Sequence, residues 1–323
     1  MKMHRELELT IKDITMKIVT LTLSAAYDVH CSAEKISLGC ENHVCLLSRD
    51  AGGKGINISR ALSAFGVESV ALAVLGEENS QEFLDYLSRE GVSVTPIFTE
   101  GRIRENITVH DIGGTETRIC FGTSAVPESV LTKIEEITSA TLTEGDVLTF
   151  TGSIPEGISR SAVTEYLKRE RQRGIKVIVD SRSLTKEDVV SIGPYLIKPN
   201  EYEVKAFSGS ELYGTDDARR TAEDLCTLGI ENVMITLGKA GAVIASPEGS
   251  FFASAPTVDV KSTIGAGDSA IAGFIYAIAS GESVESALSV SVAFGSAACL
   301  EPGTKPPSRE NVFKMLENGI FTT

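Results

Sequence analysis

The sequence predicts an α/β fold: a doubly wound, mostly parallel sheet with helices on both faces, plus a small β-sheet lid. Three observations predict it. Apolar, β-branched runs alternate with longer amphipathic segments. The runs are continuous rather than period-two, as strands covered on both faces should be. Two stretches, residues 29–49 and 101–121, interrupt the alternation with half-polar, weakly alternating sequence.

Residues 1–15 are polar and lack a clean period, and they are expected to form an N-terminal extension. The domain then runs over 16–323, opening with MKIVTLTLSA as a first buried strand. Further strands are expected at 69–76, 147–152, 176–180, 195–200, 233–238 and 242–246. Between them, Ile58, Ala61, Leu62 and Phe65 recur at helical spacing, and Gly66 follows as a stop. Residues 159–173 and 215–229 behave in the same way. In ITVHDIGGTETRICF, Ile107, Val109 and Ile119 sit beside polar neighbours around Gly113-Gly114, which predicts a hairpin with one wet face.

Composition limits function. The 323 residues suffice for one large α/β domain or two smaller ones. With 42% hydrophobic and 23% charged residues the chain is not a disordered one. The net charge of −14 argues against nucleic acid or anionic membrane as partner, while a local cationic site remains compatible with it. No apolar stretch approaches the ~18 residues of a spanning helix, the start lacks the basic-then-apolar order of a leader, and a cytoplasmic location is expected. The six cysteines form no C-x-x-C pair and only four histidines occur, which argues against zinc; reduced, mostly packed thiols are expected.

Three glycine- or asparagine-bearing segments carry chemistry. In STIGAGDSAIAGF, Gly265, Ala266 and Gly267 lead directly into a helix whose unpaired N–H groups would receive an anion. Asp268 then reads either as a helix cap or as a general base facing a hydroxyl while the amides hold a phosphoryl group. The same glycines fit G-x-G-x-x-A, but an aspartate would face the pyrophosphate, and too little chain follows for a dinucleotide half. In AGGKGINISRALSAFG, Gly53, Lys54 and Asn57 belong either to a tight turn or to a polar ligand site. In IKPNEYE, Asn200 and Glu203 suit a capping box, or a hydrated Mg²⁺ beside phosphates.

Taken in order, these segments resemble the PfkB, or ribokinase-like, carbohydrate kinases. GGKGINISRALSAFG looks like the N-terminal signature, STIGAGDSAIAGF like the C-terminal one, and KPNEYE matches the N-x-x-E motif. TLGKAGA resembles the nucleotide-contacting strand and loop. The resemblance implies transfer of the ATP γ-phosphoryl group to a sugar hydroxyl, and lids that clasp in a homodimer. By position it makes Asp268 the base and residues 265–268 the anion hole. Lys198, Asn200, Glu203, Thr236, Gly238 and Gly241 fall on the nucleotide side, with Asn200 and Glu203 ordering Mg²⁺ through water. Asp28, Gly53, Lys54 and Asn57 fall on the sugar side.

IRENITV and TGSIPEG are similar to segments of the phosphosugar branch, which comprises 1-phosphofructokinases, tagatose-6-phosphate kinases and the minor 6-phosphofructokinase. The resemblance therefore places Arg104, Asn106 and Ser153 around a substrate phosphate, with a 1-phosphofructokinase the leading expectation. A tagatose-6-phosphate kinase or a 6-phosphofructokinase is the alternative, followed by a kinase of an unphosphorylated sugar or nucleoside and by a non-catalytic sugar-phosphate-binding protein. Ser24, Ala25, His43 and Cys120 depart from the family pattern, all on the substrate side or lid. Ser262 stands where ribokinases carry an aspartate, so K⁺ dependence is not carried over.

Overall fold

The computed structural model describes residues 15–209 and 212–317. Among these residues thirteen strands fall into two sheets. The first joins β1 (Ile18–Thr22), β4 (Val70–Gly76), β5 (Ser93–Thr99), β8 (Val147–Thr151), β9 (Lys176–Asp180), β10 (Leu196–Ile197), β11 (Asn232–Thr236), β12 (Gly241–Ser246) and β13 (Gly249–Ser254). Their order is β13-β12-β11-β10-β9-β8-β1-β4-β5. Every pairing from β5 to β11 is parallel, while β12 and β13 close one edge as an antiparallel hairpin.

The continuous apolar runs have a direct cause. Val19 and Leu21 enter the core on one face while Ile18 enters the core on the other; Val177 and Val179 divide from Ile178 in the same way, and Val233 and Ile235 from Met234. Both faces are covered, so neither needs a polar register. One face carries α3 (Val130–Thr141), α4 (Arg160–Gln172), α5 (Lys186–Ile192), α6 (Glu201–Ser208) and α7 (Thr215–Thr227). The other carries α1 (Lys54–Ala64), α8 (Ala266–Ala279), α9 (Val284–Ala298) and α10 (Arg309–Glu317). The expected stripe Ile58, Ala61, Leu62 and Phe65 is fully buried there, and the Phe65 ring lies 4.2 Å from that of Phe294. A 1% exposed Phe65 removes an aromatic ring's worth of area from water, worth roughly 1.5–3 kcal/mol.

The second sheet is the lid: β3 (Cys45–Gly52), β2 (Ala26–Ala33), β6 (Arg104–Asp111) and β7 (Glu116–Cys120), in that order. The Gly113-Gly114 turn joins β6 to β7, with Asp111 Oδ1 accepting from Thr115 N at 2.8 Å. One lid face packs Tyr27, Val29, Cys31 and Val109 against Phe83 and Leu87 of α2 (Ser80–Arg89) and against Ala71, Ala73 and Leu75 of β4. A buried Arg60 of α1 ties lid to core. It forms an ion pair with Glu90, and its Nη1 donates to Ala51 O at 3.2 Å and Thr304 O at 3.1 Å.

Several expectations need correction. The lid begins at Ala26, not residue 29, so Asp28 belongs to a lid strand. The 195–200 run contributes only Leu196–Ile197 to the sheet: Pro199 has no N–H to donate, and Asn200 already caps α6. Strand β5 lies outside the expected runs, because Pro96 and half-buried neighbours mark an edge strand rather than a buried run. The thiols are free but not mostly packed. Only Cys31 is buried; Cys40, Cys45 and Cys120 are exposed on or beside the lid. The 1–15 extension lies almost wholly outside the described residues. No helix among those described is long and apolar enough to cross a membrane.

Candidate active site

Because β1, β8, β9, β10 and β11 are parallel, their C-terminal ends share one edge of the sheet, where open α/β sheets bind ligands. The functional residues gather along that edge and under the lid. Gly265 precedes α8 at φ +79°, a left-handed conformation that favours glycine, and Ala266 and Gly267 form the first turn. A Cβ on Gly267 would lie 3.0 Å from Lys198 Nζ, so the absence of a side chain leaves room for the ammonium beside the first turn of the helix.

Asp268 is the third residue of α8 and makes no side-chain capping bond; the cap position is Gly265. The plain helix-cap reading of Asp268 therefore falls. Its carboxylate is 6% exposed and accepts a hydrogen bond from Asn57 Nδ2 at 2.9 Å. Burial pushes its pKa up to about 6, against the opposing pull of Lys54 and Asn57. A carboxylate that is mostly ionised at neutral pH yet basic enough to take a proton suits a general base.

Lys54 opens α1 and reaches across the sheet edge to Asp180 Oδ2 at 2.8 Å. Lys198, 4% exposed, stands 3.7 Å from the same oxygen. Burial would raise the Asp180 pKa, but the two ammonium groups outweigh it and hold the carboxyl below its ordinary value. Asp180 thus fixes two lysines beside Asp268. Sequence reasoning missed it, although its place as the last residue of the KVIVD run, at the C-terminal strand edge, was a usable signal. Beside this cluster a cavity of about 700 Å³ opens between β9 and α6, with Asp180, Lys198, Glu203, Leu184 and Phe207 among its walls; Asp268 is not among them.

Asn200 and Glu203 form a complete capping box on α6. Asn200 Oδ1 accepts from the amides of Tyr202 and Glu203, and Glu203 Oε2 accepts from the Asn200 amide. The other Glu203 oxygen accepts from Arg182 Nε at 2.7 Å. Thr236 ends β11 and pairs by an isolated bridge with Asn200. Gly238 and Gly241 follow at φ +54° and +119°, farther along the same edge.

On the lid side, Asp28 Oδ1 accepts from Asn106 Nδ2 at 3.0 Å across the β2–β6 pair. Burial raises the Asp28 pKa. Gly53 precedes α1 at φ +123°, and a Cβ there would meet Thr22 Cγ2 at 2.9 Å. Arg104 lies two residues before Asn106 and shares its face. Its Nη1 donates to Phe121 O at 3.0 Å, while its buried Nε has no partner. Buried Ser24 Oγ, Asn57 Oδ1 and Asn106 Oδ1 are likewise without partners. Such orphaned atoms are uncommon in folded proteins; Thr149 Oγ1 and Asn232 Oδ1 in the core sheet are others, but these four fall at positions that the resemblance puts on the substrate side, as polar groups reserved for a ligand would. Ser153 is exposed in the loop after β8, and His43 is exposed with only Glu41 nearby, at 3.8 Å.

Comparison with known proteins agrees with this geometry. The chain is 29% identical to a 1-phosphofructokinase of Escherichia coli strain K12 over 94% of its own length and 97% of that protein. It is 30% identical to the ATP-dependent 6-phosphofructokinase isozyme 2 of the same strain, covering 93% and 98%. The crystal structure of E. coli phosphofructokinase-2 in complex with substrates and products superposes with a TM-score of 0.88 at 29% identity, covering 94% of this chain and 99% of that one. The family model described as pfkB family carbohydrate kinase matches residues 17–311, from the first strand to the last helix and across both signature segments. With a buried aspartate at a helix N-terminus, two lysines beside it and a separate four-stranded lid, this chain belongs to the pfkB family of carbohydrate kinases and is a phosphotransferase with an alcohol group as acceptor.

Proposed function

We propose that the enzyme transfers the γ-phosphoryl group of ATP to a hydroxyl of a ketohexose phosphate, with fructose 1-phosphate giving fructose 1,6-bisphosphate as the leading reaction. The observation that carries the phosphosugar reading is Arg104: a guanidinium with a free buried Nε, on the lid face that also holds Asp28 and Asn106. The 1-phosphofructokinase relatives support the choice of sugar. A second reading, 6-phosphofructokinase, is favoured by the likeness to phosphofructokinase-2. An ATP-coupled screen of fructose 1-phosphate, fructose 6-phosphate, tagatose 6-phosphate, tagatose 1-phosphate and free fructose tests it. Turnover of free fructose as fast as its esters would sink the phosphosugar reading.

In the reaction, Asp28 and Asn57 orient the sugar, and Asp268 accepts the proton of the attacking hydroxyl. The hydroxyl oxygen bonds to the γ-phosphorus as the bond to the β-phosphate oxygen breaks, and ADP leaves. The amides of residues 265–268 and the Lys198 ammonium receive the charge on the transferring group, which is the main lever available in phosphoryl transfer.

No group of three or more acidic, His or Cys ligands capable of holding a metal occurs among the described residues. Mg²⁺ in this site would retain waters and rest on nucleotide phosphates, neutralising their charge, with Glu203 and Asn200 meeting it through water. Glu203 fits because its second tie, Arg182, is a 76% exposed side chain that can swing away. Glu203→Gln is expected to raise the Mg²⁺ concentration needed for half-maximal rate; an unchanged titration would leave these two residues with their capping role alone. A homodimer through the lid is supported by its exposed apolar side chains, Leu46, Leu47, Ile119 and Phe121, each more than half exposed.

A further inference from the structure

We propose that Arg118 is a specificity-determining residue, a second guanidinium that binds the phosphate ester of the sugar substrate together with Arg104. The inference rests on the ketohexose-phosphate reading above and adds a residue that neither the motifs nor the resemblance marked.

The placement follows from register. Asp28 lies opposite Asn106, and His30 opposite Thr108; across the next pairing, Asn106 lies opposite Cys120 and Thr108 opposite Arg118. Residues directly opposite share a sheet face, and period-two neighbours share it too. Arg118 therefore stands on the face of Asp28, Asn106 and Arg104, the one turned toward the cleft. The hydrophobic face, with Tyr27, Val29 and Val109, is spent against α2 and β4. The charge of Arg118 is felt at Asp28, where it opposes the upward push of burial.

Charge accounting then singles Arg118 out. Arg49 is paired to Glu82 and Glu105, Arg60 to Glu90 and Arg102 to Glu78, and Lys54 and Lys198 are both drawn to Asp180. His43 is exposed and near Glu41, and burial lowers the pKa of His30, so His30 supplies no fixed charge. Among the described residues the Arg118 side chain has no ion pair and no hydrogen bond. A dianionic ester approaching the Asp28 carboxylate needs more positive charge than one guanidinium already partly committed to Phe121 O. On this face only Arg118 remains to provide it.

The test compares the wild type with Arg118→Gln and Arg118→Lys, measuring KM for the preferred sugar phosphate, KM for ATP and kcat at low and high salt. Arg118→Gln is expected to raise the sugar-phosphate KM about tenfold, the low end for a charge-assisted contact. ATP KM and kcat should change little, Arg118→Lys should recover part of the loss, and the salt dependence of the sugar-phosphate KM should weaken in Arg118→Gln. An unchanged KM in Arg118→Gln, with a wild type active on sugar phosphates, would reduce Arg118 to a charge guarding an edge strand and leave the phosphosugar reading standing. A wild type that phosphorylates only unesterified sugars would overturn both.

Discussion

Asp268→Asn is expected to lower turnover by roughly 10²–10⁴-fold, the usual cost of losing a general base, while the affinity for ATP stays near wild type. The substitution keeps the shape and the partner: an asparagine oxygen can still accept from Asn57 Nδ2. What it removes is the proton acceptor. Single-turnover rates and nucleotide affinity measured side by side separate the two. Near-wild-type turnover would end the assignment of Asp268 as base.

The raised pKa adds two signatures. As a base, Asp268 must be ionised, so the wild-type rate should climb as pH rises through about 6 and level off above it. The stability consequence has the opposite direction. A carboxyl whose folded-state pKa is raised favours the folded state below its unfolded value near 3.8, and that advantage is lost as pH rises through about 6. At pH 8 the buried charge therefore costs the fold on the order of 3 kcal/mol, and Asp268→Asn should melt above wild type there, with the difference closing toward pH 4. A capping aspartate would show the reverse, a lower melting temperature on substitution. A gain in stability with a loss of rate is the pattern expected where function holds a charge in an unfavourable place.

Much of this site was legible because its chemistry is local in sequence. Gly265 to Asp268 form one turn, Gly53 to Asn57 another, and each announces a helix start by composition alone. The sheet was legible for the same reason: strands covered on both faces write continuous apolar runs. What escaped is what depends on partners far along the chain. Asp180 gains its meaning only from Lys54, 126 positions away, and from Lys198. The face of Arg118 is set by a register running through β2, β6 and β7, and a one-residue slip would have turned it to the other side. The exposed cysteines lie on or beside the lid, a placement that no count of thiols reveals. The Asn200–Glu203 spacing admits two uses, and the capping box is present in full without removing the other.

Arg104→Ala is expected to raise KM for the sugar phosphate by about 10- to 150-fold, corresponding to ~1.5–3 kcal/mol for a charge-assisted hydrogen bond, while KM for ATP moves little. The guanidinium is held from one side only, by Nη1 to Phe121 O, and this leaves the buried Nε to meet an anion with no prior bond to break. Its backbone pairs with Ala26 in the strand just before Asp28, so phosphate and sugar hydroxyls would be gripped by adjoining positions of the same two strands. The Phe121 contact raises a rival account, in which Arg104 merely closes the end of β7. Arg104→Lys separates them: a lysine can keep the single bond to the carbonyl but not the two parallel bonds to a phosphate. If Arg104→Lys restored the sugar-phosphate KM fully, or if Arg104→Ala left it unchanged while lowering the melting temperature, Arg104 would be a strand-end clasp. A raised KM for esters alone, with free-sugar turnover equally poor in wild type and variant, would place the phosphate at this guanidinium.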